Sequence, residues 1–535
     1  MTGNILLRHQ NKWQIIGKTK QLRLGSTTAI GTNTETNSFK QEWENAKPFK
    51  EIPSYKKLSD ILKFLPGGKY YKMEPTKLML QLKKDMGNIM RFDGYFGRKN
   101  GVITHNVEDF ITVFRNEGIW PIRPGSDALH YHRSVLRADF FQGTEGIIST
   151  QNEKWANFRS TVNPVLMQPK NVRLYMDKMS QVNKKFIERI RQMRDPQTFE
   201  VPASFEEEMN RWTLESVSVV ALDKQLGLMS KNRSDPLAKE LFKAISDFFI
   251  YGMEVEYAPP IWKYYKNKSF KNLMKCLDTI TYITSKYVNE AIERLEENTQ
   301  KGGPEKPEHE KSVLEKLIKI DKKIATVMAM DMLMAGVDTT SSTFTGLLLC
   351  LAKNPQKQAK LREEIMKILP LKDSEFTEES LRNIPYLRAC IKESLRLYPI
   401  LIGNSRITTN DMVLSGYQIP KDTQISMISC AIVKDDKYFP RAKEFLPERW
   451  LRVEESNSIG CPLKPSSPFA FLPFGFGPRS CIGRRIVEME LELGIARVIR
   501  NFQVEYNYPT ENAFKSLLIN VPNIPLKFKF TDIDK

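Results

Sequence analysis

The pattern of hydrophobic and polar positions along this chain is mainly helical. From about residue 107 to 295, apolar residues recur at three- and four-residue spacing, and few segments alternate as strands do. Residues 297–312 are polar and rich in Gly, Pro and charge, which predicts an exposed loop. Helical spacing then resumes to about Pro399. The pattern therefore predicts a helix-rich body.

Strand-like segments are short and flank this helical region. They occur near residues 91–104, around Met412–Ile419 and Gln424–Val433, and within the last forty residues. A final helix is predicted from about Ile482 to Asn501. This order of elements favours an α+β, mainly α fold with small sheets at one side over a βαβ alternation.

The first 40 residues differ from the rest of the chain. They are rich in Ser and Thr and contain no Asp or Glu before Glu35, which predicts either a mitochondrial transit peptide or a disordered basic tail. The basic residues of this segment are Arg8, Lys12, Lys18, Lys20, Arg23 and Lys40. We expect the folded body to begin near residue 45. Because no run of ~20 apolar residues occurs, the chain is predicted not to span a membrane.

The formal net charge of +18 raises nucleic acid, an anionic membrane or an acidic protein as partners. No basic low-complexity arm, zinc-finger spacing or RNA-binding signature is found, so we predict no nucleic-acid partner. The cysteines are scattered without a CxxC pair, which favours a reducing compartment. They are Cys276, Cys350, Cys390, Cys430, Cys461 and Cys481.

The segment FGFGPRSCIG, residues 474–483, carries the strongest chemical signal. Apolar spacing after Cys481 predicts that a helix begins there, and a helix N-terminus favours thiolate over thiol. The glycines let the backbone pass close under a flat ligand, and Arg479 can pair with an anionic group on it. A lone buried cysteine is otherwise more often a small apolar side chain than a ligand.

The spacing FxxGxRxCxG, carried by Phe474, Gly477, Arg479, Cys481 and Gly483, resembles the haem-binding loop of the cytochrome P-450 family. The resemblance extends over residues 45–535. It implies the cytochrome P-450 fold, a helix-rich single domain with small β-sheets and a buried haem. It also implies haem b as cofactor, with the Cys481 thiolate as the metal ligand that favours O–O cleavage.

The segment AGVDTT, residues 335–340, follows a run that is apolar apart from Asp331, as in a buried central helix. Its match to the same family implies that Asp338 and Thr339 relay protons to dioxygen. The alternative from the residues themselves is a threonine bonded to its own helix and an aspartate on a solvated face.

Two further segments, ESLR and PERW, match the family's ExxR and PERF-like motifs, with Trp450 in the last place. The resemblance implies a buried Glu393–Arg396–Arg449 network that supports the haem. We interpret its role as structural, because an unpaired buried charge is strongly destabilising.

The haem propionates also have predicted partners. Trp155 and Arg159 lie one helical turn apart and match the family's WxxxR motif, and Arg406 resembles another propionate-binding arginine. With Arg479 they would supply the cations that two carboxylates in a partly buried site require. For His130 and His132, which would share one face of a strand, no third ligand is found and a surface role is predicted.

The electron donor is predicted from Arg388, Lys392, Arg484 and Arg485, whose alternative interpretation is an ordinary solvated basic face. They resemble the residues that mitochondrial family members present to an acidic [2Fe-2S] ferredoxin, itself reduced by an NADPH-dependent reductase. The sequence looks most like insect members of the mitochondrial clan. This resemblance implies a location on the matrix side of the inner membrane and, as substrates, ecdysteroids or foreign lipophilic compounds.

Substrate choice is assigned to segments that carry no readable code: residues 120–141, 248–253, 401–404 and the surroundings of Leu517. The segment around Ile250 to Tyr264 is predicted to touch the membrane. The predicted function is a monooxygenase that inserts one oxygen atom of O2 into a lipophilic xenobiotic or steroid. A haem-thiolate isomerase or dehydratase, which would need no electron donor, and a haem-binding sensor or carrier, which would need no proton relay, remain as alternatives.

Overall fold

The computed structural model describes residues 38–55, 60, 62–94, 97–230, 235–257, 259–300, 306–452 and 463–533. Two compact units are found. The smaller contains the described residues up to Ile52 together with Asn410–Lys421, and the larger contains Pro53–Thr409 and the described residues from Asp422 onward. The predicted transit segment lies almost wholly outside the described residues, as does Cys461.

Helices dominate the larger unit. In chain order they are α1 (Pro75–Met86), α2 (Val107–Arg115), α3 (Asp127–Tyr131), α4 (Ala138–Phe141), α5 (Gly146–Ser149), α6 (Asn152–Leu166), α7 (Pro169–Arg173), α8 (Met176–Met193), α9 (Phe205–Ala221), α10 (Pro236–Glu256), α11 (Lys268–Gln300), α12 (Val313–Ile320), α13 (Lys322–Ala352), α14 (Pro355–Ile368), α15 (Glu378–Arg382), α16 (Pro385–Leu397) and α17 (Arg484–Asn501).

The strands are short, as the sequence predicts. They are β1 (Ile89–Phe92), β2 (Gly101–Thr104), β3 (Gly403–Ile407), β4 (Met412–Leu414), β5 (Tyr417–Ile419), β6 (Gln424–Ile428), β7 (Phe502–Glu505), β8 (Phe514–Ser516), β9 (Asn520–Pro522) and β10 (Lys529–Asp532). The largest sheet has the order β1-β2-β6-β3, in which only β2 and β6 are parallel. The pairs β7–β10 and β8–β9 are antiparallel, and β4–β5 forms a hairpin within the smaller unit.

The core of the larger unit is centred where α9, α13 and α17 meet. The rings of Trp212 and Phe344 lie 4.6 Å apart, and Gly494 of α17 packs against both. A Cβ at Gly494 would lie 2.7 Å from the Trp212 ring, so only glycine lets α17 approach this closely. The N-cap residue of α13 is Asp321, whose side chain accepts a hydrogen bond from the Ile324 N–H at 2.8 Å.

Several elements differ from the sequence-based prediction. Helix α11 continues to Gln300, into the predicted loop, and the segment after Ile428 is a 3-10 turn rather than strand. His130 and His132 are helical, and His132 is buried with its Nε2 2.8 Å from Asp278, so the predicted strand and its surface role for His132 are wrong. Among the described residues, no helix is both long and apolar enough to cross a membrane.

Candidate haem-binding and oxygen-activation site

The loop of residues 474–483 is tightly folded before α17. The Cys481 N–H donates to the Phe474 carbonyl at 2.8 Å, and Gly483 is the N-cap residue of α17. Gly477 has φ +67, and a Cβ there would clash with the Glu117 carboxylate. The helix therefore begins three residues after Cys481, not directly after it, and the loop backbone turns sharply at Gly477.

The Cys481 side chain is accessible to solvent, yet burial is the largest influence on its thiol and raises the pKa. We infer from these two facts that the side chain faces a cleft rather than the open surface. Hydrogen bonds from the Gly483 and Arg484 N–H groups, with the charges of Arg159 and Arg123, oppose this increase. The predicted effect of the helix terminus is thus present, but burial outweighs it.

Arg479 extends from this loop into a polar cage. Its Nε donates to the Pro121 carbonyl at 2.8 Å, and its Nη2 donates to Gln151 Oε1 at 2.6 Å. The guanidinium lies 3.9 Å from the centroid of the Trp155 ring. Trp155 therefore acts here as a platform for Arg479.

Three more arginines surround Arg479. Burial is the main cause that lowers the pKa of Arg479 to about 9, and the charges of Arg123, Arg406 and Arg159 lower it further. The carboxylate that opposes them is Glu117. Such a concentration of positive charge is costly unless anions approach it. The cluster is therefore suited to bind a ligand that carries carboxylates.

Arg406 and Arg159 have different surroundings within this cluster. Arg406 Nε lies 2.5 Å from Glu117 Oε2 and its Nη2 donates to the Phe476 carbonyl at 3.2 Å. Arg159, on α6, is buried, and its Nε has no hydrogen-bond partner among the described residues. An unpartnered buried donor is the more direct sign of a missing anionic partner.

Helix α13 supplies an open apolar face. Its residues from Ala325 to Leu351 are buried, with four exceptions at the spacing i, i+3, i+4 and i+7. These are Met332, Ala335, Gly336 and Thr339. A stripe of accessible small and apolar positions on an otherwise buried helix indicates that this face lines a cavity.

Asp338 and Thr339 point in different directions from this helix. Thr339 lies on the open stripe, and its hydroxyl donates to the Ala335 carbonyl at 2.7 Å. Asp338 is buried and accepts a hydrogen bond from Asn210 Nδ2 on α9 at 3.3 Å. Burial raises the pKa of Asp338 to about 6. The threonine therefore makes the helix bond of the alternative interpretation, whereas the aspartate is not on a solvated face.

The structure brings the three residues of the charged network together. Glu393 Oε1 lies 2.8 Å from Arg396 Nη2 and 3.0 Å from Arg449 Nε, and all three side chains are fully buried. Trp450 Nε1 donates to Glu393 Oε2 at 2.8 Å. The guanidiniums also donate to backbone carbonyls, for example that of Val433 at 2.7 Å. The buried charges are thus paired and hydrogen-bonded.

The four basic residues assigned to the electron donor are not equivalent. Arg388 Nε lies 2.7 Å from Glu492, and Arg484 Nε lies 2.8 Å from Glu488. Within the described part of the chain, Lys392 and Arg485 are exposed and form no ion pair. Among the residues that the structure describes, two of the four cations therefore have no carboxylate partner.

Sequence reasoning missed Arg123, Glu117 and Asn210. Arg123 is close enough to Cys481 and Asp331 for their charges to influence its pKa, which burial lowers overall. None of these residues stands in a recognisable motif, and each reaches the site through the fold.

The described residues fit a flat ligand with anionic groups. The fit rests on a cysteine on a cleft wall, an arginine cluster with an unpartnered buried nitrogen, and an open apolar helix face.

Comparison with known proteins agrees with this geometry. The family model for Cytochrome P450 matches residues 60–530. Cytochrome P450 CYP12A2 of Musca domestica is 65% identical over 92% of this chain and 93% of its own length. Probable cytochrome P450 12a5, mitochondrial, of Drosophila melanogaster is 59% identical over 94% and 95%.

A more distant relative, probable cytochrome P450 12c1, mitochondrial, of Drosophila melanogaster, is 45% identical over 96% of this chain and 98% of its own length. The family's cofactor is a haem with a cysteine thiolate on the iron. The cleft-wall cysteine, the arginine cluster and these similarities agree, and the chain belongs to the cytochrome P450 family of haem-thiolate monooxygenases.

Proposed function

We propose that the Cys481 thiolate would hold the haem iron and that the arginine cluster of Arg123, Arg159, Arg406 and Arg479 would hold the haem propionates. The observation that carries this proposal is the clustering of these four arginines, two of which, Arg123 and Arg159, are close enough to the buried Cys481 thiol for their charges to act on it. The Trp155 ring stacks against the Arg479 guanidinium. When bound, the haem supplies the iron at which two electrons reduce dioxygen.

The open stripe of α13 is proposed to face dioxygen and substrate. Ala335 and Gly336 leave room there because they have little or no side chain, and the Thr339 hydroxyl is the polar group on the stripe. When the Thr339 hydroxyl breaks its bond to the Ala335 carbonyl, it can donate a hydrogen bond to a reacting oxygen. The carboxyl group of Asp338, one residue earlier, would replace a proton that this hydroxyl gives up.

The substrate is proposed to be a lipophilic compound, a steroid or a xenobiotic, into which one oxygen atom is inserted. Leu401 is 49% exposed and Trp120 is 43% exposed, so both are available to an apolar ligand. Gly252 of α10 packs on Leu518 beside β8, in two of the predicted substrate segments. Phe141, by contrast, is fully buried in the core.

Electrons are proposed to come from an acidic [2Fe-2S] ferredoxin in the mitochondrial matrix. The word "mitochondrial" in the names of two relatives supports this location, and so does the basic N-terminal composition. Arg485 is an exposed cation at the start of α17, directly after the Cys481 loop, and Lys392 is an exposed cation on α16, which contacts α17 through Arg388 and Glu492. Charge complementarity with an acidic donor would steer the encounter.

Contact with the inner membrane is proposed for the end of α10 and the turn that follows. Ile250, Tyr257, Ile261 and Tyr264 are all between 46% and 75% exposed. Exposed aromatic and aliphatic side chains of this kind enter the interface of a bilayer. Loss of flotation with anionic phospholipid vesicles in Tyr264→Ser would test this contact.

The test of the cofactor assignment is Cys481→His. The wild-type ferrous carbonyl complex should show the red-shifted Soret band of a thiolate-ligated haem, and the variant should bind haem without it. Cys430→Ala, a buried cysteine elsewhere, is the control and should keep the band. A red-shifted band in Cys481→His would show that the ligand lies elsewhere.

Oxygen consumption separates this function from its alternatives. With ferredoxin, its reductase and a bound lipophilic compound, a monooxygenase consumes O2 and NADPH and forms one oxygenated product. An isomerase or dehydratase converts its substrate without NADPH, and a sensor does neither. Product formation in the absence of NADPH would overturn the proposal.

A further inference from the structure

The buried carboxylate Asp338 has an incompletely bonded neighbourhood between α13 and α9. Asn210 Nδ2 donates to its Oδ1 at 3.3 Å, but Asp338 Oδ2 and Asn210 Oδ1 have no hydrogen-bond partner among the described residues. Asp338 is 7% and Asn210 is 6% exposed. Buried acceptors of this kind are commonly bridged by an ordered water molecule.

Glu206 lies one helical turn before Asn210 on α9, so the two side chains are neighbours on one helix face. Glu206 is half-buried, whereas Asn210 and Asp338 are buried. Glu206 is also close enough to Asp338 for the charge of Asp338 to act on it, so the three residues lie near one another where α9 packs on α13. The sequence places Glu206 among three consecutive glutamates, Glu206–Glu208, which by itself indicates only a favourable helix N-terminus.

The charges around Glu206 distinguish it from an ordinary surface glutamate. Burial is the largest cause that raises its pKa, to about 7, and the nearby Asp338 raises it further. Lys515 of β8 lowers this pKa, and Glu207 of the same helix raises it. Two carboxyl groups with pKa values of about 7 and 6 can exchange a proton near neutral pH.

We propose that Glu206 supplies protons to Asp338 across the contact between α9 and α13, and that Asn210 orients the Asp338 carboxylate for this transfer. In the step, the Glu206 O–H bond breaks and the proton passes through one bridging water to Asp338 Oδ2. Glu206 becomes a carboxylate and regains a proton from solvent, and no electrons move. This inference rests on the proposed role of Asp338 in oxygen activation.

The first test observes the carboxyl groups directly in the haem-loaded full chain. Infrared difference spectra across pH 5 to 8 should contain a protonated carboxyl band that titrates near pH 7. This band should disappear in Glu206→Gln and should remain in Glu207→Gln, because the Glu207 side chain is exposed. In Asp338→Asn its midpoint should fall, because a neighbouring negative charge is removed. A band unchanged in Glu206→Gln would overturn the inference.

The second test measures coupling, with 7-ethoxycoumarin as the lipophilic probe and ferredoxin as donor. Glu206→Gln should slow product formation about tenfold near neutral pH and raise peroxide per NADPH, because proton transfer by a positioned group is lost. Glu206→Asp should restore most of the rate. Equal rates and pH profiles for Glu206→Gln and Glu207→Gln would overturn the inference.

Asp338→Asn makes the two levels of the proposal distinguishable. If Asp338→Asn uncouples turnover but Glu206→Gln does not, only the Glu206 pathway is wrong. If Asp338→Asn leaves coupling unchanged, the proposed proton role of Asp338 is itself wrong.

Discussion

At the scale of single residues, the site holds ionisable groups in environments that disfavour their charges. Burial raises the pKa of the Cys481 thiol and of Asp338, and it lowers the pKa of Arg479 to about 9. Each shift is a cost in folding free energy when the group is charged. Perturbed groups concentrated in one cleft are typical of a functional site.

Asp338→Asn should stabilise the protein at neutral pH. The folded-state pKa of about 6 exceeds the ordinary value of 3.8, so the native state binds the proton more tightly than the unfolded state. Stability is therefore lost as pH rises from about 4 to 6, by about 3 kcal/mol for this group alone. Asparagine keeps an acceptor for Asn210 and removes the loss.

Thermal unfolding of the two proteins at pH 4.5 and pH 8 measures this effect. The midpoint of Asp338→Asn should exceed that of wild type at pH 8, and the difference should shrink at the lower pH. A difference independent of pH would contradict the assigned cause.

Thr339→Ala should keep the haem but uncouple turnover. Its hydroxyl lies on the open stripe of α13, so its loss removes a donor from the reacting oxygen and lets peroxide escape. Peroxide per NADPH should rise while product falls. Thr326→Ala is the matched control, because Thr326 makes the same bond to its own helix at 2.8 Å but is not on the stripe. Equal ratios in both variants would favour a purely local role for Thr339.

At the scale of elements, the sequence predicts structure that depends on residues close together in the chain, and it does not predict contacts between distant segments. Helix α13 is recognisable because its run from Val327 to Met334 is apolar apart from Asp331, and the short strands β1 and β2 follow local patterns. Glu117, Arg123 and Asn210 could not be predicted because their partners are distant in sequence and meet only in the fold. The end of α11 at Gln300 was missed because polar composition imitates a loop.

The charged network between α16 and the turn at Pro447–Trp450 should be essential for folding. Arg449→Met leaves Glu393 with one guanidinium instead of two, in a site with no access to water. The expected loss of stability is about 3 to 5 kcal/mol, since a buried charge loses its partner. Little haem-loaded protein should be recovered.

Arg441→Gln is the matched control for this variant. Arg441 pairs with Glu444 only eight residues before Arg449, but both side chains are more than half exposed. The expected loss of stability is much smaller, because water screens an exposed ion pair. Haem content per protein and urea unfolding measure both variants. Similar losses of stability in the two variants would contradict the idea that burial makes the Glu393 network more important than an exposed ion pair.

At the scale of the whole molecule, the positive charge matters most where it is not already neutralised. Arg388 and Arg484 pair with Glu492 and Glu488, so their reversal would place two negative charges together and disturb the helices themselves. Lys392 and Arg485 carry no such pair within the described residues. They are therefore the better probes of an approaching ferredoxin.

Lys392→Glu combined with Arg485→Glu should slow reduction by ferredoxin about tenfold at low salt, because charges at an interface rim chiefly set the association rate. Substrate-induced difference spectra should be unchanged, since neither residue lines the open face of α13. The screening length is about 8 Å at an ionic strength of ~0.15 M, so the difference from wild type should shrink as salt is raised. Stopped-flow reduction across a salt series measures both effects.

Lys275→Glu is the control, because Lys275 is an exposed lysine on α11 and not on α16 or α17. Ferredoxin should reduce this variant at the wild-type rate. If all three proteins share one rate and one salt dependence, the donor docks elsewhere, and the mitochondrial electron-transfer assignment would then depend on the relatives and the N-terminal composition alone.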